Sequence, residues 1–136
     1  SVDAYFNDIN KVSDMVFKET NTYSKLVRFA GGSSNTVSNF NKGIMTKLVK
    51  ELSDKGYKYF DWNVDSNDTS TTNTDTIINN VINGIKNKQV SVVLQHDIKP
   101  ASIEATRQII EYGLSNGYTF LPLNQNSPGA HHGLNN

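Results

Sequence analysis

Apolar residues fall along this chain in two alternating patterns. Short runs rich in β-branched and aromatic residues at 25–29, 58–64, 90–95 and 118–121, each bounded by turn formers, predict four strands. Measured from Leu26 to Tyr59, Val92 and Thr119, the steps are 33, 33 and 27 residues. A step of about 30 residues is the size of one strand–helix–strand crossover. The segments between carry helical spacing instead. Phe40, Ile44, Leu48 and Leu52 recur every fourth residue, Ile77, Ile78, Val81, Ile82 and Ile85 form a second stripe, and Ile103, Ile109, Ile110 and Leu114 a third. A fourth stripe, Val2, Phe6, Ile9, Val12 and Val16, precedes the first strand. Lys55-Gly56 and Asn116-Gly117 close two of these helices, because glycine takes the left-handed conformation of a helix end without steric cost.

The predicted order is therefore α-β-α-β-α-β-α-β, which implies an α/β fold: alternating βα units with a parallel sheet and right-handed crossovers. Four parallel strands suit either a small open sheet or about half of a seven- or eight-stranded barrel. A start on a helix is expected where a chain begins partway through a larger α/β domain. Residues 1–123 thus read as one domain portion and 124–136, which lacks periodicity, as a flexible polar tail.

Composition narrows the class. The chain has 136 residues, enough for one domain, with 36% hydrophobic and 19% charged content. Thirteen Lys+Arg balance thirteen Asp+Glu, so no net field is available to hold nucleic acid or an anionic membrane, and neither is an expected partner. No stretch approaches the roughly 20 apolar residues of a membrane-spanning helix, and a soluble chain is expected. Zero cysteines exclude disulfides, thiolate zinc sites and cysteine nucleophiles.

Parallel α/β folds gather their chemistry at the C-terminal ends of the strands, where the strand-to-helix loops open. The predicted strands run into Arg28 with Gly31-Gly32, into Asp65 and Asp68, into His96-Asp97, and into Pro122. Each has a plain alternative. Arg28 could pair with a surface carboxylate. The Gly31-Gly32-Ser33-Ser34 run could be an ordinary loop, since it lacks the lysine and spacing of a phosphate-binding loop. Asp65 and Asp68 lie in a turn-like composition suited to helix capping. His96 ends the most apolar strand, where a titratable ring is costly unless partnered, so a catalytic or ligand role and a satisfied core histidine are both open. His131 and His132 lie in the polar tail and are expected to face solvent.

These residues also stand in three ordered signatures. Arg28-Phe29-Ala30-Gly31-Gly32-Ser33-Ser34-Asn35, Asp61-Trp62-Asn63-Val64-Asp65-Ser66-Asn67-Asp68 and Val93-Leu94-Gln95-His96-Asp97 resemble the third, fourth and fifth motifs of the polysaccharide deacetylases of carbohydrate esterase family 4, the chitin and peptidoglycan deacetylase group. The resemblance spans roughly residues 1–123. It implies a distorted (β/α) barrel and hydrolysis of N-acetyl groups on amino-sugar polysaccharides, with a divalent metal, usually zinc, as cofactor. By resemblance, His96 is the general acid that protonates the leaving amine, Asp68 holds its imidazole, Arg28 orients the carboxylate base, and Leu94 lines the pocket for the acetyl methyl. Trp62, with Tyr59 and Tyr118, is a candidate for stacking on sugar rings.

The family's first two motifs, which supply the base and the metal ligands, do not occur in this sequence. No metal site is therefore expected within the chain, and the isolated chain is expected to be inactive: a C-terminal deacetylase fragment, or else a non-catalytic glycan-binding remnant. Ala30 replaces the third motif's usual proline, and Thr69 the tryptophan that often follows the fourth. An unrelated Ser33-His96-Asp68 hydrolase is a weaker reading, because no Gly-x-Ser-x-Gly elbow surrounds Ser33. The family's substrates imply an extracellular or cell-wall location. Unpaired sheet edges of a partial barrel would favour a homodimer.

Overall fold

A computed structural model describes residues 1–135. The chain divides into two compact units, one of residues 1–60 with 124–135 and the other of residues 61–123, each with its own core. Asn136, the last residue of the predicted tail, lies outside the described residues.

The first unit opens on helix α1 (Val2–Thr20), whose first turn is capped by Ser1 Oγ accepting from Ala4 N, and whose end is marked by Asn21 at φ 55°. Strand β1 (Leu26–Val27) follows, then a short 3-10 turn (Val37–Phe40), helix α2 (Ile44–Asp54) and strand β2 (Lys58–Tyr59), which pairs parallel to β1. Helix α2 stops where the glycine signal predicts. Gly56 takes φ 75°, its N–H reaches Ser53 O and Tyr57 N reaches Leu52 O, so two otherwise orphaned carbonyls are satisfied. The apolar stripe of α2 supplies Met45, Leu48 and Leu52 to a core shared with Phe6 of α1 and Phe29 beyond β1.

The second unit holds β3 (Val64–Asp65), α3 (Thr74–Ile85), β4 (Val93–Leu94) and α4 (Pro100–Ser115), with β3 and β4 parallel. Pro100 begins α4, where its missing N–H costs nothing. At its end Gly117 (φ 79°) and Tyr118 repeat the closure seen in α2, with Tyr118 N bonding Gly113 O. Ile77, Ile78, Val81 and Ile85 of α3 pack with Val64, Ala105 and Ile109 into the second core.

The α/β class, the four helices and the parallel pairing match the expectations from sequence. The strands differ. Each is only two residues long, and the 58–64 run divides at Phe60, so that β2 pairs with β1 while β3 pairs with β4. Among the described residues no strand forms at 118–121. The aromatic content there serves packing instead: Tyr118 rests on the second core and its hydroxyl donates to Ile85 O at 3.4 Å.

The polar tail, expected as a flexible extension, is bonded back onto its own unit. Lys58 Nζ donates to the carbonyls of Gln125 (2.9 Å) and Ser127 (2.6 Å), the His131 ring stacks on Tyr59 at 4.1 Å, and Asn135 O accepts from Ser38 Oγ at 3.2 Å. In these bonds the tail's own carbonyls accept from side chains of the unit, an attachment that needs no apolar period and leaves none in the sequence.

Candidate functional site

Asp68 and His96 come together. Asp68 stands three residues beyond β3 on a turn built by its neighbours. The Asp65 carboxylate accepts from Asn67 N at 2.8 Å, and Asn67 itself takes φ 56°. Helix α3 is capped further on by Asn73, whose Oδ1 accepts from Thr76 N at 2.8 Å, so neither Asp65 nor Asp68 acts as the helix cap their composition suggested. That leaves Asp65 to shape the turn and Asp68 to turn inward, with no exposed surface.

The buried Asp68 carboxylate is fully engaged. Oδ2 accepts from Ser102 Oγ at 2.6 Å and from the backbone N–H of His96 at 2.7 Å, while Oδ1 lies 2.9 Å from His96 Nδ1. Burial by itself raises a carboxyl pKa. Here the hydrogen bonds from Ser102 and from the His96 ring and backbone outweigh it, together with the nearby imidazole, and lower Asp68 to about 2. An ionised carboxylate can only accept, so the shared proton belongs to His96 Nδ1. The other ring nitrogen, Nε2, has no hydrogen-bond partner among the described residues, and the imidazole is 29% exposed. One ring nitrogen is thus fixed by a buried charge while the other has no partner among the described residues, a geometry from which a proton can be donated.

Flanking residues brace this pair. Gln95 Nε2 donates to Ser102 O and Thr106 Oγ1, both at 2.7 Å, tying the residue beyond β4 to the first turns of α4. Lys99 Nζ donates to the Asp68 carbonyl at 2.7 Å. Sequence reasoning missed Ser102, Gln95 and Lys99 as members of the site; a polar residue on the first turn of a helix carries no signal of where it points.

Leu94 is half-buried on β4 and Trp62 half-buried just before β3, both in the unit that holds His96. Arg28 lies in the other unit, exposed immediately after β1. Beyond it, Gly31 and Gly32 take φ 72° and 80° in a turn whose Gly32 carbonyl accepts from Asn35 Nδ2 at 2.8 Å. That turn buries Ser33, whose hydroxyl donates to His132 O at 3.3 Å, a poor setting for a nucleophile. Of the aromatic stacking candidates, Tyr59 is stacked by His131 and Tyr118 rests on the second core.

The donors present do not fit a divalent metal. Among the described residues no three carboxylate or imidazole side chains come together to hold one. Asp68 is spent on its three hydrogen bonds, and His132 Nδ1 lies 3.2 Å from Ser34 Oγ. No described helix is long and apolar enough to cross a membrane.

No protein-family model matches the sequence, and a search of curated proteins finds no match. Solved structures do match. The catalytic domain of a peptidoglycan N-acetylglucosamine deacetylase from Eubacterium rectale aligns over 100% of this chain and 63% of its own length, with TM-score 0.96 and 46% identity. A polysaccharide deacetylase from Bacillus cereus aligns over 96% of this chain and 61% of its own, with TM-score 0.74 and 27% identity. A carbohydrate esterase family 4 enzyme from Streptococcus mutans, at 22% identity and TM-score 0.68, shares the fold over 88% of this chain and 53% of its own. The chain thus spans less than two thirds of the length of each. The three sequence signatures, the His96–Asp68 pair and these alignments agree: over its whole length the chain is similar in sequence and fold to solved polysaccharide deacetylases.

Proposed function

We propose that this chain supplies the proton-donating half of a deacetylase site that hydrolyses N-acetyl groups on amino-sugar polysaccharides of the peptidoglycan or chitin type. The observation that carries the reading is the His96–Asp68 pair, a 2.9 Å contact to a buried carboxylate that holds one face of the ring and leaves Nε2 available. Amide hydrolysis needs such a group. Water adds to the carbonyl carbon, the C–N bond breaks, and the departing nitrogen must gain a proton or it does not leave. His96 gives that proton from Nε2, with Asp68 stabilising the imidazolium beforehand. Leu94 lines the acetyl pocket, Trp62 contacts the sugar, and Arg28 orients a carboxylate base supplied from outside this chain.

The base and the ligands of a divalent metal, zinc by family resemblance, likewise come from outside, so the chain alone is inactive. The substrate class places the complete enzyme outside the cell or at the cell wall. Acetate release from N-acetylglucosamine oligomers tests this reading. The chain alone should release none, and adding a purified segment that carries the family's first two motifs should restore release. A folded complex of the two that stays silent would contradict it.

A further inference from the structure

We propose that Ser102 is a positioning residue: its hydroxyl locks the Asp68 carboxylate in the rotation that delivers Oδ1 to the His96 ring, and so decides which ring nitrogen carries the proton when that ring is neutral. The proposal deepens the reading of His96 as proton donor and rests on it. A carboxylate rotates easily about its last bond, so a single contact to a histidine does not fix it. Here Oδ2 is pinned from two directions, by Ser102 Oγ from α4 (2.6 Å) and by His96 N from the loop after β4 (2.7 Å). With Oδ2 so held, Oδ1 has one remaining direction, toward Nδ1 at 2.9 Å.

Ser102 is itself held at both ends. Its side chain is fully buried, and its carbonyl accepts from Gln95 Nε2 (2.7 Å) and Thr106 Oγ1 (2.8 Å). A serine on the first turn of a helix ordinarily has its hydroxyl free for local backbone bonds. In α4 that hydroxyl is committed to a carboxylate 34 residues earlier in the chain. Of the charged groups nearest this assembly, Lys99 bonds the Asp68 carbonyl, Asp65 bonds Asn67 N, and Asp97 is exposed. None of the three bonds the Asp68 carboxylate oxygens, so none substitutes for the hydroxyl.

Nitrogen-15 NMR of the histidine-labelled chain reads the tautomer, and carbon-13 NMR of the carboxyls reads the Asp68 titration. In the unaltered chain, neutral His96 should carry its proton on Nδ1. In Ser102→Ala the Nε2–H tautomer should become the major form, and the Asp68 midpoint should rise by about one pH unit, the size expected for losing one hydrogen bond to a charged group. Ser102→Thr, which keeps a hydroxyl, should return both readings toward the original. A folded Ser102→Ala chain with the original tautomer and midpoint, even one that melts at lower temperature, would overturn the proposal, since a merely structural role moves stability alone. If Ser102→Ala does not fold, Ser102→Cys keeps the volume with a weak donor and should show the same two shifts; their absence overturns the proposal equally. Acetate release enters none of these readings. Failure of the deacetylase reading would leave them intact, and their failure would leave that reading standing.

Discussion

Asp68 carries its charge where water does not reach, and the three hydrogen bonds that allow this also make it a source of pH-dependent stability. Its folded value of about 2 lies below the ordinary 3.8, so the stabilisation is complete above about pH 4 and is lost as pH falls toward 2. The amount at neutral pH is about 2 kcal/mol. Urea unfolding of the chain across that range should show the loss, and Asp68→Asn should flatten it while lowering stability at pH 7 by roughly 2–3 kcal/mol, because it removes a charged acceptor from buried donors. A variant with unchanged pH dependence would show the charge to be placed elsewhere. At this scale His96 was legible because a titratable ring at the end of an apolar strand demands a partner. The partner's own support was not: Ser102 lies 34 residues from Asp68, and only the packing of α4 shows that they meet. Asp65 and Asp68 look alike in sequence, yet one builds the turn and the other is buried by it.

Helices were legible at the level of elements because their signals are local. The four-residue stripe, the closing glycine and the polar cap are all within one segment, and α2 and α4 end at the glycines that predict it. Strands are defined by a remote partner, and for that reason the run at 58–64 could not reveal that its two ends pair with different strands. The run at 118–121 has strand composition but spends its aromatics on helix packing. Close helix–strand contact also assigns a role to Gly84 of α3. A Cβ placed there would come within 2.5 Å of Val64 Cγ1, on a side chain that is β-branched and almost fully buried. Replacing a helical glycine with alanine ordinarily gains up to about 1 kcal/mol. Gly84→Ala should instead destabilise by about 1–3 kcal/mol, the cost of overpacking a fixed core. Gly113→Ala meets Phe120 at 2.5 Å, but that ring is 47% exposed and can swing away, so its cost should be smaller. Thermal melts of the two variants rank them, and the reverse order would contradict this view of the core.

At the scale of the whole chain, three motifs in order conveyed the family more clearly than any composition did, and the alignments to solved deacetylases agree with them. The attachment of residues 124–135 was illegible, because side-chain hydrogen bonds to the tail's own carbonyls impose no period on a sequence. Each described strand has one strand partner, β1 with β2 and β3 with β4. Strands with a single partner can pair with another copy, and light scattering of the concentrated chain should give the mass of a dimer; a strictly monomeric mass would contradict that expectation. The donor set makes a separate prediction. After exposure to zinc and exhaustive dialysis the chain should retain no stoichiometric metal by elemental mass spectrometry, and near-stoichiometric retention would reveal a site that the described residues do not form.

The role proposed for His96 is that of proton donor in a deacetylase. Joining this chain to the remaining segment of the Eubacterium rectale enzyme, of which it matches 63%, should give an active chimera in which that role is measurable. His96→Ala should slow acetate release from N-acetylglucosamine oligomers by roughly 10²–10⁴-fold, the usual contribution of a general acid. A folded His96→Ala enzyme with the parent's rate would contradict the assignment.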